Sequence, residues 1–97
     1  MINITPHERS IILQILHSTI SECTVLAFGS RISGKHRRYS DLDLAIDGQK
    51  RFSVLQLFEV KEKFSDSELP FRVDILDWNA LTPAFQDIIS SSDVKIQ

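Results

Sequence analysis

Ninety-seven residues, 42% hydrophobic and 25% charged, make one domain, 1–97, with a single core and no room for a separate substrate-binding domain. A net charge of -2 excludes the strongly basic balance of a sequence-independent nucleic-acid binder, so no direct nucleic-acid partner is expected. The lone Cys23 admits no internal disulfide, no apolar run approaches the roughly 18 residues of a membrane span, and residues 1–10 lack a leader pattern, which together indicate a cytoplasmic protein with no membrane partner.

Thr5-Pro6-His7-Glu8 places a capping residue, a proline suited to the first helical position and a glutamate three residues after the cap. A helix should start there and run to about Ser21, burying Ile12, Ile15, Leu16 and Ile20, with Ile11 and Leu13 at its margins. Residues 24–28 are short, apolar and stopped by Gly29, as a buried strand ending in a tight turn would be. The polar, basic stretch 31–39 reads as a surface loop or short helix. Residues 41–46 then alternate, with Asp41, Asp43 and Ala45 on one face and Leu42, Leu44 and Ile46 on the other, and Asp47-Gly48 closes this second strand.

Residues 52–64 predict an amphipathic helix carrying Leu55, Phe58 and Val60 among charged neighbours. Residues 71–76 alternate again, with Phe71, Val73 and Ile75 opposed to Arg72, Asp74 and Leu76. Thr82-Pro83 repeats the cap-then-proline signal and begins a helix through Phe85, Ile88 and Ile89, after which residues 93–96 suggest a terminal strand. The order describes an α/β fold with a small mixed β-sheet packed with helices, because the short 29–41 connection suits antiparallel neighbours.

Chemistry concentrates in the carboxylates. Asp41 and Asp43 leave one strand face roughly 6 to 7 Å apart at the backbone, close enough to share a cation that relieves their repulsion. Solvated residues at a strand end would read the same way by pattern alone, although aspartate is depleted in strands. Asp74, central in another alternating strand, wants a partner, and beside the first pair it would complete the three-carboxylate site of two-metal phosphoryl transfer. Asp77 is the rival for that third position, but it is expected past the strand beside Trp78, where a polar residue needs no special explanation. Gly29-Ser30 directly after a strand suits close approach of backbone N–H groups and a hydroxyl to phosphate, or a simple turn. Arg31, Lys35, His36, Arg37 and Arg38 form either a solvated face or, through Arg31 or Lys35, a contact to a triphosphate. His7 and His17 read as surface residues, Cys23 as core and Trp78 as packing.

Taken together, Gly29-Ser30, ten residues, then Asp41-x-Asp43 form G-S-x10-D-x-D, and here the chain resembles the nucleotidyltransferase superfamily related to DNA polymerase β. The strings Phe28-Gly29-Ser30-Arg31 and Tyr39-Ser40-Asp41-Leu42-Asp43-Leu44, with Gly34 between, are similar to its minimal nucleotidyltransferase branch. That resemblance implies a polymerase β-like core. In it Gly29, Ser30 and Arg31 would hold the nucleotide, and Asp41, Asp43 and Asp74 would bind Mg2+, two ions in all, and serve catalysis. It also implies ATP as donor and an all-helical HEPN-class toxin as partner, its tyrosine hydroxyl receiving AMP, so that the chain acts as an antitoxin. The residues themselves do not choose among nucleoside triphosphates. Two alternatives stay open: a non-catalytic module that neutralises its partner by binding, and the catalytic half of a small-molecule nucleotidyltransferase.

Overall fold

The computed structural model describes residues 4–29, 41–91 and 93–97. Helix α1 spans Pro6–Ile20, and its start is a reciprocal cap: the Glu8 backbone N donates to Thr5 Oγ1 at 3.1 Å while the Thr5 backbone N donates to Glu8 Oε1 at 2.9 Å. Strand β1 (Thr24–Phe28) follows, then β2 (Leu42–Asp47), α2 (Val54–Ser65), β3 (Val73–Asp77), a single 3-10 turn (Trp78–Ala80), α3 (Pro83–Ser90) and β4 (Val94–Lys95). The caps of α2 and α3 are Ser53, which exchanges hydrogen bonds with Gln56, and Thr82.

The strands form one mixed sheet in the order β3-β2-β1-β4. β1 runs antiparallel to β2 and to β4, while β2 and β3 are parallel with α2 in the crossover between them. Alternation therefore sorts the sheet into two faces. On one, Val25, Ala27, Leu42, Leu44, Ile46 and Ile75 meet Ile12, Leu16 and Ile20 of α1 and Val60 and Phe64 of α2 in a continuous core. Cys23 belongs to this core, where burial pushes its thiol up from the ordinary range. The other face carries the rows Phe28, Asp43, Asp74 and Leu26, Ala45, Leu76. Helix α3 reaches that face, its Phe85 meeting Phe28 edge-on with ring centroids 6.5 Å apart.

Three details differ from the sequence reading. β2 begins at Leu42, so Asp41 stands just before the strand, and β3 is displaced to Val73–Asp77. Leu55 and Phe58, taken as part of the apolar stripe of α2, are 66% and 53% exposed, and with Val54 at 86% they form an outer apolar stripe. The inner stripe is Leu57, Val60 and Phe64, which share the same helical period on the opposite side. Likewise Ile89 is buried on α3, whereas Ile88 faces outward and Phe85 is only partly covered by Phe28.

The third difference is Asp77. It is the last residue of β3 and only 7% exposed, not a polar residue beyond the strand. Its carboxylate accepts from the backbone N of Phe52 at 2.8 Å and of Asn79 at 3.2 Å. Asn79 Nδ2 in turn donates to Asp47 Oδ1 at 2.9 Å, and the same oxygen accepts from Gln49 N at 2.8 Å, holding Gln49 in its left-handed conformation at φ 68°. Beside it the Phe52 ring packs over Gly48, so that a Cβ there would come within 2.7 Å of the ring tip and push it aside. These bonds fasten the loop entering α2 to the ends of β2 and β3. Asp77→Ala strands the partly buried Phe52 N–H and should lower unfolding free energy by about 1–3 kcal/mol, read from urea denaturation midpoints.

Candidate active site

The carboxylates gather where β1 ends and β2 and β3 begin. Parallel pairing sets Asp43 directly opposite Asp74, and adjacent strands place such partners about 4.8 Å apart at the backbone. On the other side of β2, Phe28 is the register partner of Asp43, so Gly29 follows it immediately beside that carboxylate. Gly29 has φ 89°, which side chains rarely adopt, and a Cβ built there would collide with Asp43 Oδ2. Glycine is thus required twice over, by backbone conformation and by the closeness of the carboxylate.

Electrostatics follow from the same placement. Asp43 is partly buried, and its carboxyl is raised from the usual carboxylate range first by desolvation, then by the charges of Asp74 and Asp41. The charges of both other predicted carboxylates thus bear on Asp43. Among the described residues Asp74 pairs with Arg72, whose Nε lies 3.1 Å from its Oδ1. The carbonyl of Arg72 accepts from Leu42 N at 2.9 Å, pinning the approach to β3 against the residue between Asp41 and Asp43. Among the described residues no three carboxylate, histidine or cysteine side chains are gathered tightly enough to enclose a metal ion as they stand.

A cleft of about 730 Å³ opens over this region, with Asp43, Asp74, Arg72, Lys61, Phe28 and Phe85 among its walls. Acidic, cationic and aromatic side chains thus share its lining. That mixture suits a ligand with anionic oxygens and a planar apolar part, held with the help of an added cation. Ser30 and Arg31, expected to hold the nucleotide, lie outside the described residues, as do Lys35, His36, Arg37 and Arg38. Sequence reasoning missed Arg72, Lys61, Phe28 and Phe85 as cleft residues. Arg72 alone had a signal, because alternation puts it on the Asp74 face two residues away. The other three looked like ordinary helix or strand residues.

Residues 11–96 match the family described as polymerase beta, nucleotidyltransferase. The chain is 44% identical over 96 residues to "Probable protein adenylyltransferase MntA" of Haemophilus influenzae, covering 99% of this chain and 84% of the relative. A solved structure described as a toxin-antitoxin with AMP-PNP has a TM-score of 0.78 at 21% identity, over 92% of this chain and 72% of that one. Another, of a tri-AMPylated Shewanella oneidensis HEPN toxin with an MNT antitoxin, has a TM-score of 0.71 at 18% identity, over 94% and 70% of the two chains. At these identities the structural likeness establishes the mixed-sheet fold.

The raised carboxyl of Asp43 makes a signed prediction. The folded protein holds that proton more tightly than the unfolded chain, so stability falls as pH rises from the ordinary carboxylate range through the folded value. Asp43→Asn removes the charge. In chelator-treated protein the variant should melt at higher temperature than the parent at neutral pH, and the gain should vanish below about pH 4. Differential scanning calorimetry across that range checks both the sign and the window.

Proposed function

This chain belongs to the polymerase beta nucleotidyltransferase family, and from that membership we infer that it transfers AMP from ATP to a hydroxyl of a HEPN-type partner protein, acting as its antitoxin. The observation that carries the reading is the carboxylate pair Asp43 and Asp74, set side by side next to Gly29, with the charge of Asp74 raising the cost of ionising Asp43. Support for the acceptor comes from relatives: one is named a protein adenylyltransferase, and similar folds occur in toxin-antitoxin complexes, one with an AMPylated HEPN toxin. A tyrosine is the acceptor side chain we propose, in the cytoplasm.

The residues fit a hard divalent cation. The charges of Asp74 and Asp41 raise the cost of ionising Asp43, and Mg2+ is commonly held by one or two carboxylates together with substrate phosphate, which the adjacent Asp43 and Asp74 suit. When bound, Mg2+ would polarise the phosphorus under attack and neutralise the departing pyrophosphate, with two ions dividing those tasks. Asp41, Asp43 and Asp74 are the ligands we propose. Gly29, Ser30 and Arg31 are the residues we propose for the phosphates, through backbone N–H groups, a hydroxyl and a guanidinium. Asp74 accepts the proton of the acceptor hydroxyl as its oxygen bonds to the α-phosphorus, and the bond from that phosphorus to pyrophosphate breaks.

A second reading, neutralisation of the partner by binding alone, is favoured by one observation: the outer stripe Val54, Leu55 and Phe58 on α2 is an apolar surface suited to a protein partner. The two readings separate cleanly. Incubated with labelled ATP, Mg2+ and the co-purified partner, the parent chain should add AMP units to partner mass. Asp41→Asn combined with Asp43→Asn should lower that transfer by about 1,000-fold or more, since both proposed ligands lose charge, while co-purification with the partner persists. A double variant that still neutralises the partner fully in cells would reject the enzymatic account.

Mg2+ should also stabilise the parent. At a concentration 100 times the dissociation constant, linkage gives about 2.7 kcal/mol, and the double variant should lose most of that increment in calorimetry.

A further inference from the structure

We propose that Arg72 is a surrogate cation for the acidic site: its guanidinium holds Asp74 while no metal is bound, releases it when a divalent cation enters, and then turns to the anionic oxygens of the nucleotide. The proposal rests on the metal-dependent reading above and adds a positioning role for a residue outside the motif.

Four observations carry it. The first is the contact itself, Arg72 Nε to Asp74 Oδ1 at 3.1 Å, which puts a cation on one of the two carboxylates whose charges bear on Asp43. The second is its weakness. With the Arg72 side chain 76% exposed, the pair is solvated, and such pairs contribute about 0–1 kcal/mol, little enough for a doubly charged cation among three carboxylates to displace.

The third is a fixed base with a free arm. The Arg72 carbonyl is tied to Leu42 N at 2.9 Å, so the backbone stays against β2 while the long exposed side chain can swing. The fourth is the destination. Arg72 lines the same cleft as Asp43, Asp74 and Lys61, so a guanidinium released from Asp74 remains beside the space a phosphate would occupy. Its planar fork matches phosphate oxygens, and its charge then offsets the ligand's instead of the enzyme's own. The exchange conserves a counter-charge at Asp74 throughout: first Arg72, then the metal.

The test follows the exchange directly. In metal-free protein at mildly acidic pH and low temperature, the NMR resonance of Arg72 Nε–H, assigned by its loss in Arg72→Ala, should carry the signature of a hydrogen bond to carboxylate. Asp74→Asn should abolish that signature, and titration with MgCl2 should abolish it in step with metal binding. Calorimetric titration of Arg72→Ala with MgCl2 alone should show affinity tightened about two- to fivefold, whereas its affinity for AMP-PNP in saturating MgCl2 should weaken by a similar or larger factor. Arg72→Lys, which keeps the charge without the fork, should recover part of the nucleotide affinity. Thermal melting of each variant without metal verifies folding.

An Arg72 signal unchanged as MgCl2 saturates the parent chain overturns the exchange and leaves the metal-dependent reading standing. Weaker MgCl2 binding in Arg72→Ala also overturns it, by making Arg72 an aid to the metal site and not its competitor. Absence of any MgCl2 binding to the parent, with or without AMP-PNP, rejects the metal-dependent reading and this proposal together.

Discussion

Strand β2 has to satisfy two incompatible solvents, and the rest of the molecule is arranged around that demand. Leu42, Leu44 and Ile46 point into a core closed by α1 and α2, while Asp43 points the other way from the same strand. Each apolar residue buried there contributes about 1.5–3 kcal/mol relative to exposure, which anchors the strand firmly enough to hold a poorly solvated carboxylate on its far side. Neighbouring strands extend the arrangement: β1 brings Gly29 up to Asp43, and parallel β3 brings Asp74 opposite it. Hydrophobic burial on one face is what keeps like charges together on the other.

The two aspartates of β3 show how position decides what a carboxylate does. Asp74 is partly open, is held by one exposed arginine and adds to the electrostatic strain on Asp43. Asp77, three residues on, is buried and accepts from two backbone N–H groups, so its charge is used in holding the loop ahead of α2. One end of the β2–β3 pair is a well-satisfied structural joint; the other crowds like charges around a partly buried Asp43. That polarity along a five-residue strand lets the reactive end bear unfavourable electrostatics without loosening the crossover helix.

Much of this was legible in the sequence because the decisive signals are local. The Thr5 and Thr82 caps, the period-two alternation around Asp43 and Asp74, and the apolar run before Gly29 each follow from a few adjacent residues, and the helices start at those caps while the two strands form with bounds shifted by one or two residues. What escaped depends on contacts distant in sequence. Leu55 and Phe58 have the same helical period as Leu57, Val60 and Phe64, and only the direction from which the sheet approaches α2 selects one stripe. Asp77 resembles any polar residue near a turn until the Phe52 N–H, 25 positions away, is brought to it. Phe85 and Lys61 enter the cleft through the packing of helices, which no spacing rule encodes. The third carboxylate was recognisable by alternation, but its place beside Asp43 depends on parallel pairing.

That pairing has a consequence for folding fidelity. Sliding β3 by two residues along β2 would return Val73 and Ile75 to the core face, so the apolar pattern resists such an error only weakly. It would nevertheless move Asp74 away from Asp43 by roughly 6.6 Å, two strand rises. Hydrophobic patterning thus proofreads which way β3 faces, whereas its offset is checked by the Asp77 joint to Phe52 and Asn79 at the far end. A buried polar anchor at one end of the ladder serves as the ruler that sets the distance between carboxylates at the other.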